Sequence, residues 1–183
     1  MQFGSECQNA ARRGVLRFFG WAALSLALPF APAAWASAPR SISLYHTHTG
    51  EKLSLVYFEG GDYVPEALAS LNNVLRDFRT GEVCDVDPRL FDQLYALNLA
   101  CGEGTYEVVS AFRSQQTNLM LRQQSKGVAK DSLHVHGRAI DVRLSGRELR
   151  GLRDAALAMK QGGVGFYPRS NFMHLDTGAV RSW

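Results

Sequence analysis

Two segments constrain this chain more than any others: Ser132 to Asp141, which reads Ser-Leu-His-Val-His-Gly-Arg-Ala-Ile-Asp, and Phe172 to Asp176, which reads Phe-Met-His-Leu-Asp. His134 and Asp141 stand around Gly137, and His174 follows on a short apolar run well downstream. Two imidazoles and a carboxylate are donors that a catalytic zinc takes while keeping one position for water, whose pKa the ion lowers to about 7. If His134, Asp141 and His174 are that set, the fold must close three distant side chains on one point.

The first 36 residues read as an export signal rather than as part of a domain. Arg12 and Arg13 precede an apolar run, Phe18 to Leu28, that ends in small residues around Ala34-Trp35-Ala36. A helix needs about 20 apolar residues to span a bilayer, and this run is too short. Ala11-Arg12-Arg13-Gly14-Val15-Leu16-Arg17 resembles a twin-arginine signal, with Ala11 where Ser or Thr is usual; a general secretory signal or an uncleaved anchor is the alternative. Cleavage after Ala36 would remove Arg12, Arg13, Arg17 and Glu6 and lower the formal charge from +3 to +1. No basic cluster remains to recruit a nucleic acid. Residues 37–183 then form one domain, with no transmembrane segment, and a monomer is expected. Cys84 and Cys101 remain, and in an exported protein they either form a disulfide or stay free.

Ile42 and Leu44, then Leu53, Leu55 and Tyr57, alternate with polar residues and predict an opening hairpin with Gly50 in its turn and His46 and His48 exposed at its tip. Pro65 opens a helix whose apolar stripe runs to Phe78 before Thr80-Gly81. Asp87-Pro88 opens another, to about Leu99. A strand over Tyr106 to Ala111, a polar helix over Gln115 to Gln124 and a strand over Ala139 to Leu144 follow. Ser145 and Glu148 form a candidate capping box for a helix to about Lys160, after which Gly162 to Pro168 turns into a closing strand, Phe172 to Asp176. The mixed order predicts an α+β domain: a small antiparallel sheet carrying the metal set, with helices packed on it.

On a strand, Asp176 points to the same face as His174, and it either carries protons or orients the imidazole. His136 is a weaker candidate for proton carrier or alternative ligand, and Ser132 for a hydrogen bond to the loop. Arg113 sits between a strand and a helix, where a guanidinium can face a cleft and bind a substrate carboxylate or a developing oxyanion; a surface ion pair is the plainer reading.

Ser132, His134, Gly137, Ala139 and Asp141 match Ser-x-His-x-x-Gly-x-Ala-x-Asp, and the segment resembles the zinc motif of the D-Ala-D-Ala-type metallopeptidases, a superfamily that includes the amino-terminal domain of hedgehog. Ala111 to Ser114 is similar to its substrate-arginine segment, and the chain from the hairpin to Trp183 resembles the shorter MepK-like branch of exported murein endopeptidases. The resemblance implies a fold of that type, zinc on His134, Asp141 and His174, Arg113 toward substrate, and a periplasmic enzyme that hydrolyses cross-link peptides of peptidoglycan, between two diaminopimelate residues or between D-Ala and diaminopimelate. Many superfamily members carry a base two or three residues before the third ligand, where this chain has Phe172 and Asn171. That departure shifts the expected catalytic role to Asp176, beside Arg113. A murein carboxypeptidase and a non-catalytic, zinc-containing wall-binding protein are the alternatives.

Overall fold

Alternation in the first strand, β1 (Arg40–His46), buries Ile42, Leu44 and His46 on one face. β2 (Lys52–Glu59) returns antiparallel and sets Leu53 opposite Leu44 and Leu55 opposite Ile42, so the hairpin forms as predicted. The computed structural model describes residues 38–125 and 127–183; the predicted signal over 1–36 and its boundary lie outside them. After β3 (Asp62–Tyr63) come helices α1 (Pro65–Val74) and α2 (Pro88–Cys101), strand β4 (Tyr106–Ser110), helix α3 (Gln115–Gln124) and a single 3-10 turn, Leu133–His136. Strand β5 (Ala139–Leu144), helix α4 (Leu149–Met159) and strands β6 (Gly163–Tyr167), β7 (Phe172–Asp176) and β8 (Arg181–Ser182) complete the order.

The class is α+β, but the sheet is neither small nor wholly antiparallel. Its eight strands run in the order β3-β2-β1-β4-β5-β7-β6-β8. β1 pairs parallel with β4, and β6 with β8. Parallel neighbours need a crossover, and the chain between β1 and β4 supplies one through β2, β3, α1 and α2. The strands that carry the metal set, β5 and β7, are antiparallel neighbours. Ile42, Leu44, Tyr106, Val108, Ile140, Val142, Met173 and Leu175 form one apolar core with helix residues such as Leu71, Leu90, Phe91, Leu94 and Leu152.

Several local readings change. His46 is buried, because β1 continues to it: its Nδ1 accepts from the backbone N–H groups of His48 and Thr49, while His48 alone stays exposed. α1 stops at Val74, short of Phe78, because Asp77 closes the following loop on itself. Its backbone donates to Glu82 and accepts from Gly81, and its carboxylate accepts from the backbone of Arg79. The capping box does not form: the Ser145 N–H extends the sheet to the Thr105 carbonyl, and α4 starts at Leu149 with no side-chain cap. Gly163 to Tyr167, read as part of a turn, is itself a strand. Cys84 and Cys101 are both free; the Cys84 thiol donates to the Asp85 carbonyl, and Cys101 ends α2. Asp87 does cap α2, accepting from the Arg89 N–H at 3.1 Å with Pro88 at the first helical position.

Asp77 also ties the segment after β4 to the loop after α1, since its carboxylate accepts from the Ser114 N–H at 2.9 Å. Burial alone would raise its pKa, but hydrogen bonds from the Thr117 and Ser114 hydroxyls and the Arg79 and Ser114 backbones outweigh it and hold the group at about 2. A depressed carboxylate stabilises the fold above the unfolded-state value near 3.9 and loses that contribution as pH falls through the folded value. Asp77→Asn should therefore cost about 2 kcal/mol at pH 7, and the gap to the parent should shrink steadily from pH 5 toward pH 2. Urea denaturation across that range checks it; a gap independent of pH would contradict the charged role.

Candidate metal centre and cleft

Antiparallel pairing sets Asp141 of β5 directly opposite His174 of β7. Paired residues point to the same face, so two donors far apart in sequence become neighbours through register alone. His134 arrives from the 3-10 turn, whose path Gly137 permits. Gly137 adopts φ +63°, and a Cβ there would lie 2.5 Å from the Asp85 carbonyl oxygen. The Gly137 carbonyl accepts from the Asp87 N–H at 2.9 Å, seating the metal loop against the start of α2. The other segment is tied to the same place: Thr177 donates its hydroxyl to Asp87 at 2.7 Å, and Arg138 donates to the Thr177 hydroxyl and carbonyl.

The three expected donors converge. His134 Nε2 lies 3.2 Å from His174 Nδ1 and 3.4 Å from Asp141 Oδ1, and His174 Nδ1 lies 2.9 Å from the same carboxylate oxygen. All three residues are buried, and among the described residues they form a group of His, Cys, Asp or Glu able to hold a metal ion. The other nitrogen of each ring is committed outward. His134 Nδ1 is 2.7 Å from the Ala111 carbonyl, which can only accept, so the proton sits on Nδ1 and the Nε2 lone pair faces inward. His174 Nε2 is 3.0 Å from Asp176, which fixes the opposite tautomer and turns the Nδ1 lone pair inward. Without a cation or a proton among them, two lone pairs and a carboxylate would repel. A tetrahedron with bonds of ~2.0–2.1 Å has edges of about 3.3 Å, which the observed separations bracket. The residues fit a metal ion.

Asp176 is fully buried behind His174, and both its oxygens are occupied. One accepts from His174 and from Arg181 at 2.6 Å; the other accepts from the backbones of Gly163 and Gly178 and from Arg181 at 3.2 Å. Burial opposes ionisation, yet these donors hold the carboxyl well below its usual range. A group so strongly ionised, so saturated and outside the cleft cannot readily take a proton from water. The geometry matches the orienting reading of Asp176 rather than the proton-carrying one.

The metal set opens into a cleft of about 370 Å³, lined also by Arg113, Asp131, Ser132, Tyr167, Arg181 and Trp183. Arg113 thus faces the cleft rather than forming a surface ion pair. Its contacts to Asn118 and Ser110 are long, at 3.5 and 3.4 Å, and its buried Nε has no partner among the described residues. Burial pushes the guanidinium pKa down, against the pull of Asp141. An anionic group entering the cleft would satisfy it. His136 lies away from the donors and meets Asp131 at 2.8 Å. Sequence reading missed Asp131, Arg181 and the Ala111 carbonyl. Asp131 carries no signal beyond its nearness to His134, and Arg181 depends on the pairing of β8 with β6.

In the metal-free protein, burial tends to lower the His174 pKa, but Asp141 and Asp176 outweigh it and raise the group above 6.5. Asp141 is depressed by the two imidazoles despite its own burial. A proton therefore competes with the ion at His174 Nδ1, and metal affinity should fall as pH drops through that raised value. Calorimetric titration in buffers of different ionisation heat should show proton release on binding. Asp176→Asn should weaken metal binding about 10–100-fold, read by competition with a chromophoric chelator. Unchanged affinity would remove the orienting role.

Residues 34–183 match a family model described as peptidoglycan L,D-endopeptidase MepK. The chain is 44% identical over 178 residues to peptidoglycan L,D-endopeptidase MepK of Escherichia coli strain K12, covering 96% of this chain and 98% of the relative. A probable peptidoglycan L,D-endopeptidase MepK of Haemophilus influenzae is 42% identical over 147 residues, or 79% of each chain. No solved structure matches. On the full-length match and the family model together, this chain belongs to the peptidoglycan L,D-endopeptidase MepK family.

Proposed function

We propose that this protein is a zinc-dependent endopeptidase that hydrolyses peptide cross-links of peptidoglycan, acting as a monomer in the periplasm after export by the twin-arginine route and removal of residues 1–36. The observation that carries the reading is the convergence of His134 Nε2, His174 Nδ1 and Asp141 Oδ1 at the floor of an open cleft. Two imidazoles and one carboxylate suit zinc better than calcium or magnesium, which prefer all-oxygen shells. When bound, the ion supplies Lewis acidity toward a peptide carbonyl and toward water.

The chain's own residues do the remainder. His134, Asp141 and His174 hold the ion, and Ala111 and Asp176 keep the two rings aimed at it. Arg113, which lines the cleft, offers its guanidinium charge to a substrate carboxylate or to the oxygen that gains charge during hydrolysis. Among the described residues, Asp131 is the one carboxylate lining the cleft outside the metal set, and with His136 against it, it is the proposed proton carrier in place of Asp176. The relatives' names specify an L,D bond. Of the two candidate cross-links, the one between diaminopimelate residues joins an L-centre carbonyl to a D-centre amine, so it is the proposed substrate.

Digestion of defined dimeric muropeptides tests this. The parent should release monomers from diaminopimelate-linked dimers, and a chelator should stop it. His134→Ala should abolish cleavage, and Asp131→Asn should lower kcat by about 10²-fold or more at unchanged metal content. Products shortened only at a terminus would make the enzyme a carboxypeptidase. Wall binding without cleavage by zinc-loaded protein would make it a binding module.

A further inference from the structure

The cleft has an aromatic wall that the proposed chemistry does not use. Trp183 leaves about half its surface exposed, yet it is held in place by three hydrogen bonds. Its indole N–H donates to the Tyr167 hydroxyl at 2.7 Å, its backbone N–H donates to Val164, and its carbonyl accepts from Phe166. The ring centroid lies 5.2 Å from that of His174, and Tyr167 stacks on Phe172 at 4.6 Å beside it. Space for the indole is built into β6: a Cβ at Gly165 would come 2.7 Å from the ring. Arg181, which anchors Asp176, also lies over the indole, 4.9 Å from its centroid.

A large apolar ring fixed this firmly and left open beside a metal site has lost its conformational freedom already, so a ligand that packs on it loses little more. A ring serving only to shield His174 would not need to line the cleft with half its surface exposed. We propose that Trp183 is a specificity-determining residue, whose exposed indole surface receives the aliphatic part of a cross-link peptide while Arg113 takes an anionic group of the same substrate. This rests on the peptidoglycan reading of the cleft.

Among all 183 residues the other tryptophans are Trp21 and Trp35, so Trp21→Phe/Trp35→Phe leaves Trp183 as the sole indole reporter. In that zinc-loaded protein, adding a purified muropeptide monomer should shift or quench the emission. On diaminopimelate-linked dimers, Trp183→Ala should raise KM about tenfold with kcat within about threefold, at one zinc per chain, and Trp183→Phe should recover most of the loss. An unchanged KM in Trp183→Ala would overturn the proposal. So would a loss that follows zinc content, or an emission that ignores the muropeptide. If the parent cleaves no dimer, the endopeptidase reading fails, and the emission titration alone decides the contact: a saturable shift supports it and no shift overturns it.

Discussion

Two hydrogen bonds that point away from the metal site decide what the site can be. The Ala111 carbonyl accepts the proton of His134 Nδ1, and the Asp176 carboxylate accepts that of His174 Nε2. Each imidazole has one lone pair, and both are thereby turned toward Asp141. Reversing either tautomer would aim an N–H at the centre and remove a ligand without moving an atom of the backbone. The rest of the molecule serves largely to keep these outward partners still. Ala111 follows β4, which pairs with β5, and Arg181 and two backbone N–H groups grip Asp176 from the far side.

The sheet converts sequence distance into contact. Asp141 and His174 meet because β5 and β7 pair in one register, and a slip of β7 by one residue would send His174 to the face opposite Asp141. Asp87 gathers the loop and strand segments at one helix start, through Gly137 on one side and Thr177 on the other. Asp77 does the equivalent for the Arg113 segment by accepting from Ser114. These carboxylates do not line the cleft, but they fix where the segments that do will stand.

The convergence of His134, Asp141 and His174 was legible because chemistry restricts candidate donors to a few residue types, and the strands beneath them because Ala139 to Leu144 and Phe172 to Asp176 are short apolar runs. The cap signal held at Asp87, where one carboxylate oxygen takes the Arg89 N–H and the other the Thr177 hydroxyl, and failed at Ser145, whose backbone the sheet claims through Thr105. His46 was misread because a polar residue near a turn looks exposed until the strand is seen to run through it. Gly163 to Tyr167 was read as a turn because its glycines, which make room for Asp176 and Trp183, are also turn residues. Strand alternation puts Asp176 on the side of His174 but says nothing of Arg181 arriving from β8.

The central claim is atomic: particular nitrogens of two rings and one carboxylate hold the ion. Anomalous diffraction at the zinc edge from crystals of the zinc-loaded protein tests it most directly. The account predicts one strong peak within about 2.0–2.2 Å of His134 Nε2, His174 Nδ1 and a carboxylate oxygen of Asp141, with the other ring nitrogens still on Ala111 and Asp176. A peak on His136 or His46, or a site that leaves either ring rotated to its other nitrogen, would contradict it.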